Sequence, residues 1–144
     1  DGYTDTGHVG ELMCTSCQAN GLAGLVIDGA YRDSREIAEM EFPVYGRGVN
    51  PQGPLKQDPG SINVTVSVGG VSVDPGDIVI GDDDGLAVIP REGAEEVLDR
   101  AHEKLSAEDS VREEVLEGAY LYELNGYDEL FENLTIVGPE DSVQ

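Results

Sequence analysis

Positive charge is what this sequence has least of. Lysine and arginine together number 8 against 30 aspartates and glutamates, for a net charge of −22 over 144 residues. Such a chain repels phosphate backbones, which argues against DNA or RNA as a partner. Only Lys56 and Lys104 are lysines, and the acids are spread along the whole chain rather than gathered in a tail. A dispersed acidic surface poor in lysine suits strong salt, which screens self-repulsion. The expectation is a protein of a halophilic cytoplasm, an ordinary acidic enzyme being the plainer reading. Long apolar runs are also lacking. Nothing approaches the ~18 residues of a membrane-crossing helix, and no signal-peptide pattern is evident. The reading is therefore a cytoplasmic protein with no membrane partner.

Cysteine is scarce, and the two present, Cys14 and Cys17, form a C-x-x-C. A redox pair or half a zinc site is one reading. Zinc would need two more ligands, and only His8 and His102 are on offer, without paired spacing. The pair falls within a helical pattern and lacks the strand that precedes a thioredoxin-like motif. Two small helix residues turned to the core is the reading preferred.

The length fits one domain. Residues 8–20 read as a helix, with Leu12, Met13, Cys17 and Ala19 apolar and Asn20-Gly21 ending it. Leu22 to Ile27 is a continuous apolar run, read as a buried strand that Asp28-Gly29 ends. Ser34 is placed to cap a short helix over 35–40, and Phe42 to Tyr45 form another strand. Residues 46–60 read as a loop. From 61 to 90 the period changes to two, with strands over 62–68, 71–73, 78–80 and 86–89 joined by Gly69-Gly70, Asp74-Pro75-Gly76-Asp77 and Asp82-Asp83-Asp84-Gly85. The triple aspartate lacks the remaining spacing of a calcium loop. Pro90 opens a long helix, about 91–117, with Val97, Leu98, Ala101, Leu105, Val111 and Val115 on one face. Beyond it, Tyr120, Leu121, Tyr122, Leu124, Leu130 and Phe131 could dock on the body or on a neighbour, and the end from Pro139 reads as frayed. The pattern suggests an α/β domain with a mixed sheet.

The feature richest in chemistry is Asp28-Gly29-Ala30-Tyr31-Arg32-Asp33, directly after the apolar strand, where α/β folds place ligands. A guanidinium there can fork onto a substrate carboxylate, and a carboxylate can hold a hard divalent cation. A local ion pair fixing the turn is the competing account. The second feature is Gly10-Glu11-Leu12-Met13 near the start of the first helix, whose unpaired N–H groups favour an anion. Glu11 could equally be a simple helix-start acid.

Glu11, twenty residues, then Arg32-Asp33 is similar to the acidic–x20–Arg-Asp motif of the 4-hydroxy-4-methyl-2-oxoglutarate/4-carboxy-4-hydroxy-2-oxoadipate aldolases, which share a fold with the regulators of ribonuclease E activity. Gly-Leu-Ala-Gly-Leu-Val-Ile-Asp-Gly-Ala-Tyr-Arg-Asp, Phe-Pro-Val-Tyr, the stretch Gly69 to Asp77 and the stretch Asp82 to Pro90 agree with it. The resemblance covers residues 1–118, with 119–144 as a C-terminal extension or tail of a single 1–144 domain. It implies a swivelling β/β/α-type fold. Members carry more chain ahead of the Gly-Glu-Leu turn, whereas ten residues precede Glu11 here. Asp1-Gly2 reads as the end of a strand whose start is absent.

The resemblance also implies roles. Asp33 would be the direct protein ligand of Mg²⁺ or Mn²⁺, and Glu11 would hold a water of that cation's shell. Arg32 would grip a 2-keto acid substrate and position its reacting oxygens. Gly10, Glu11 and the backbone of Leu12 and Met13 would form the carboxylate-binding turn. A glutamate from a neighbouring subunit completes the site in the family, and Glu108 on the long helix is the nearest match by position. Trimers, or hexamers of two trimers, are implied. The implied reaction is class II aldol cleavage of 4-hydroxy-2-oxo diacids to pyruvate, with oxaloacetate decarboxylation as a companion, since both pass through the pyruvate enolate. No Schiff-base lysine is needed. Position 11 is Glu where characterised aldolases often have Asp, which bears on the substrate more than on the metal.

A different class of function is a ribonuclease regulator that inhibits by contact. Regulators of that sort tend to lack the acid at position 11, so Glu11 points toward the enzyme. A demethylmenaquinone methyltransferase label is sometimes attached to the family, but no G-x-G-x-x-G loop supports it.

Overall fold

The computed structural model describes residues 2–57, 59–127, 130, 134 and 135. The chain divides into two compact units, Asp1–Glu92 and Gly93–Gln144. The first opens with three strands and two helices in alternation: β1 (Tyr3–Gly7), α1 (Glu11–Ala19), β2 (Leu25–Tyr31), α2 (Ser34–Ala38) and β3 (Val44–Val49). The strands form one sheet in the order β1-β2-β3, parallel throughout. Parallel neighbours need crossovers, and α1 and α2 supply them.

Both helices pack toward this sheet through a small core. Val9, Cys14, Ile37 and Phe42 are buried, with Cys17, Leu25, Ile27, Tyr31, Met40 and Val44 packed against them. Two antiparallel pairs complete the unit: β4 (Val66–Val68) with β5 (Val71–Val73), and β6 (Ile78–Gly81) with β7 (Leu86–Ile89). Gly69 and Gly70 join the first pair with φ of 61° and 85°, the doubly positive backbone of a type I′ hairpin turn. At the second turn Asp82 Oδ1 accepts the N–H groups of Asp84 and Gly85 at 2.9 and 3.2 Å. The triple aspartate is thus a strand connection.

The second unit holds α3 (Ala94–Leu116) and the short α4 (Leu121–Leu124). No residue of α3 is buried, and Val97, Leu98, Leu105 and Val115 on its apolar face are exposed. Among the described residues no helix is long and apolar enough to cross a membrane. Phe131, and the end from Pro139, lie outside the described residues.

The α/β class expected from the sequence is the one observed, with its parallel and antiparallel pairings in separate sheets. Several boundaries differ. A strand not expected from the sequence runs over Tyr3–Gly7. The first helix begins at Glu11 rather than residue 8, because His8 and Val9 continue beside β2: His8 N–H donates to Ala30 O and Arg32 N–H to Val9 O, both at 2.8 Å. The second strand is Leu25–Tyr31, not 22–27. Asp28-Gly29 does not end it, since pairing on both sides outweighs the turn preference of that dipeptide. Gly29 is needed there, because a Cβ would stand 2.7 Å from Tyr3 O and 2.8 Å from the His8 ring. The third strand is shifted to Val44–Val49, so residues 46–49 of the expected loop are paired. Of the 62–68 segment only Val66–Val68 is a strand. Arg91–Gly93 form a 3₁₀ turn before α3 begins at Ala94.

Candidate functional site

The site lies where β1 and β2 run out side by side. The pairing of Gly7 to Val9 with Ala30 to Arg32 continues beyond the strands and sets the start of α1 against the start of α2. This explains the twenty-residue spacing: α1 and β2 form one out-and-back excursion, and its two ends meet.

Asp33 occupies the N-cap position of α2, where Ser34 had been expected. Its backbone is left-handed, φ 58° and ψ 39°, a conformation that aspartate tolerates better than most residues. The side chain makes no cap hydrogen bond. It turns to α1 instead, and Oδ2 accepts the Glu11 backbone N–H at 3.0 Å. The carboxylate therefore sits at the positive end of a helix. Its side chain is 43% exposed, and among the described residues Oδ1 accepts no hydrogen bond.

Arg32 stands beside it, with Nε 3.7 Å from Asp33 Oδ2 and a side chain 31% exposed. Its Nη1 donates to Gly7 O at 2.9 Å. One donor of the fork is thus anchored, and the guanidinium keeps others for a ligand. Gly10 is where these groups crowd the backbone. A Cβ there would fall 2.3 Å from Asp33 Oδ2 and 2.9 Å from Arg32 Cζ.

Glu11 is half-buried at the first position of α1, and its Oε1 accepts the Thr15 hydroxyl at 2.9 Å. Met13 N–H donates to Gly10 O at 3.1 Å. Leu12 N–H makes no hydrogen bond among the described residues and is the free amide of the turn. Gly10, Glu11, Leu12, Arg32 and Asp33 are therefore brought together. Glu108 lies in the second unit on α3, where it pairs with Lys104 at 3.5 Å. Gly7 was not singled out from the sequence. Its visible signal was a glycine three residues ahead of Gly10.

Among the described residues no group of three or more His, Cys, Asp or Glu side chains is arranged to hold a metal ion. Cys14 is fully buried and Cys17 half-buried, both as free thiols. Burial, and then the neighbouring Cys17, push the Cys14 thiol above its ordinary pKa. That is the opposite of what a reactive or zinc-binding thiol needs.

A parallel βαβαβ sheet with an Arg-Asp corner against a helix start defines an α/β protein that pairs a guanidinium and a carboxylate at its strand ends. The comparisons with known proteins name the family. The model of the RraA-like family, described as Aldolase/RraA, matches residues 1–88, and the chain belongs to that family. A Halalkalibacterium halodurans protein provisionally named a 4-hydroxy-4-methyl-2-oxoglutarate aldolase is 40% identical over 107 residues, covering 74% of this chain and 50% of that protein. The crystal structure of Streptomyces coelicolor RraAS2, called an unusual member of the RNase ES inhibitor RraA protein family, matches with a TM-score of 0.72 and 33% identity, over 78% of this chain and 58% of that one. An uncharacterized Pseudomonas syringae pv. tomato protein matches with a TM-score of 0.77 and 29% identity, over 88% and 60%. The chain spans about half the length of the curated relatives it matches.

Proposed function

We propose that this chain carries the cation- and substrate-binding half of a class II aldolase site. The site would cleave 4-hydroxy-2-oxo diacids such as 4-hydroxy-4-methyl-2-oxoglutarate to pyruvate and would decarboxylate oxaloacetate. The single observation that carries the reading is the Asp33 carboxylate, left-handed in backbone, excused from capping and presented beside Arg32 at the start of α1.

The residues fit a divalent cation of the Mg²⁺ or Mn²⁺ kind. Asp33 offers one hard oxygen, and Glu11 brings a second carboxylate to the same turn. One or two carboxylates with water completing the shell is the usual protein contribution to Mg²⁺. The cation would supply charge stabilisation for the enolate that either reaction leaves behind.

The chain's own groups do the rest. Arg32, with one Nη held by Gly7 O, presents its remaining N–H donors to the keto acid and fixes its orientation. The free Leu12 N–H at the helix start receives the substrate carboxylate. Glu11 would hold a water and, through it, accept the 4-hydroxyl proton as the carbon–carbon bond of the aldol breaks, while the enolate carbon takes its proton from solvent. Glu108, contributed by another subunit of a trimer or hexamer, remains the candidate for completing this network.

A non-catalytic reading, inhibition of a ribonuclease by contact, draws on the likeness to the RraAS2 structure. An acid at position 11, whose backbone N–H holds the Asp33 carboxylate, favours the lyase.

The test uses purified chain with oxaloacetate and Mg²⁺ in high salt, following pyruvate. Pyruvate release should stop with EDTA and fall by about 100-fold or more in Asp33→Ala. Release unchanged in that variant removes the assignment. Inhibition of a ribonuclease at matched salt, without pyruvate release, would favour the regulator.

A further inference from the structure

We infer that Asn50 is a positioning residue for Arg32, acting through the Asn50–Gly53 loop and the backbone of Gly7. Its consequence for catalysis rests on the lyase reading, while its geometry does not. Asn50 follows β3, and its N–H donates to Tyr31 O at 2.9 Å, next to Arg32 in sequence. The carboxamide then uses both ends. Nδ2 donates to Thr4 O at 3.0 Å on β1, and Oδ1 accepts the Gln52 N–H at 2.9 Å. The loop bent in this way delivers Gln52 O to the Gly7 N–H at 2.8 Å. The carbonyl of the same residue, in the next peptide unit, accepts Arg32 Nη1 at 2.9 Å.

Gly7 is thus tied to the loop through its N–H and to the guanidinium through its carbonyl. Nothing larger than glycine fits, since a Cβ would lie 2.3 Å from Asn50 O and 2.9 Å from Arg32 Cβ. Asn50 alone has the donor and acceptor needed to tie β1 and the loop together. Removing the carboxamide frees the loop and the Gly7 N–H and so loosens the Gly7 hinge on which Arg32's anchor sits, although the carbonyl's own peptide unit stays tied by His8 N–H to Ala30 O at 2.8 Å. Asn50 touches no substrate in this scheme.

The test reads Arg32 directly. In the ¹⁵N-labelled chain without ligand, Asn50→Ala should move or broaden the Arg32 Nε–Hε resonance and speed Gly7 amide exchange, with Cys14 and Ile37 amides unchanged. Asn50→Asp, nearly isosteric, keeps the acceptor for Gln52 but loses the donor to Thr4 and should show the same change in smaller measure. With oxaloacetate and Mg²⁺, Asn50→Ala should lower kcat/KM roughly tenfold or more, mostly through KM. In an Arg32→Ala background it should cost nothing further, because the two act as a unit. An Arg32 resonance unmoved in both variants, or losses that multiply in the double variant, overturns the inference. An Arg32 signal that moves in the Asn50 variants, with no pyruvate released by the unsubstituted protein, supports the positioning role and removes only the lyase reading.

Discussion

Asp33 Oδ2 and the Glu11 amide, twenty-two residues apart in sequence, are joined by a hydrogen bond of 3.0 Å. The carboxylate is held by backbone at the start of a nine-residue helix. Its placement therefore depends on how closely the α1 start can approach it, and Gly10 sets that approach.

Gly10→Ala is expected to damage the site more than the fold. The added methyl would stand 2.3 Å from Asp33 Oδ2, so the carboxylate must swing away from the Glu11 amide. A displacement on the order of 1 Å can cost ~100-fold in rate. Mn²⁺ affinity, read by isothermal titration, should fall about tenfold or more, a shift of the order this displacement implies, with the melting temperature little changed. Wild-type Mn²⁺ affinity in the alanine variant would show that Gly10 does not govern the carboxylate.

Arg47→Gln should make the protein more sensitive to acid. Asp28, whose side chain is only 12% exposed, accepts Arg47 Nε at 2.5 Å, Gly69 N–H at 3.1 Å and Gly2 N–H at 3.0 Å. The Arg47 guanidinium first, and the Gly69 amide after it, hold this carboxyl well below the usual carboxylate range. A depressed folded pKa contributes stability that is fully present above the unfolded value of about 3.9. It is lost as pH falls through the folded value. With the guanidinium gone the folded value rises, and the acid-unfolding midpoint followed by circular dichroism should move to higher pH. An unchanged midpoint would remove Asp28–Arg47 from the causes of acid resistance.

Much of this was legible in the sequence, and the misses share one cause. The Leu22–Ile27 run signalled a strand, and the two features read as rich in chemistry, Arg32-Asp33 and the Glu11 turn, do lie together. Local preferences then misled at the boundaries. Asp28-Gly29 has the composition of a turn, yet β1 and β3 pair on either side and the strand continues to Tyr31. Ser34 is the better capping residue by type, but the left-handed backbone falls on Asp33 and moves the cap one residue forward. The Gly7 peptide and the Asn50 carboxamide had no local signature, because their partners lie 25 and 46 residues away.

The cysteine pair should behave as packing. Cys14 has no exposed surface and lies in the cluster with Val9, Ile37 and Phe42. A thiol reagent should label Cys17 first and reach Cys14 only on unfolding. Cys14→Ser should cost roughly 1–3 kcal/mol by urea denaturation, the penalty for a buried hydroxyl without a partner. Rapid labelling of both thiols in the folded protein would argue for the redox reading instead.

Salt should stabilise this chain. Three of its described ion pairs, Arg35–Glu39, Lys104–Glu108 and Arg112–Asp109, join exposed side chains. Pairs of that kind contribute about 0–1 kcal/mol each, and screening weakens them. Against this stands a net charge of −22, carried by 30 acids and 8 cations. The unneutralised excess exceeds the pairs, so screening removes more repulsion than attraction. The Debye length falls from about 10 Å at 0.1 M to about 3 Å at 1 M. The melting temperature should therefore climb steeply between those KCl concentrations and level above them. A continuous rise that tracks sulfate better than chloride would indicate salting-out of apolar surface. A melting temperature that is flat or falling below 1 M would mean that the acidic surface does not strain the fold.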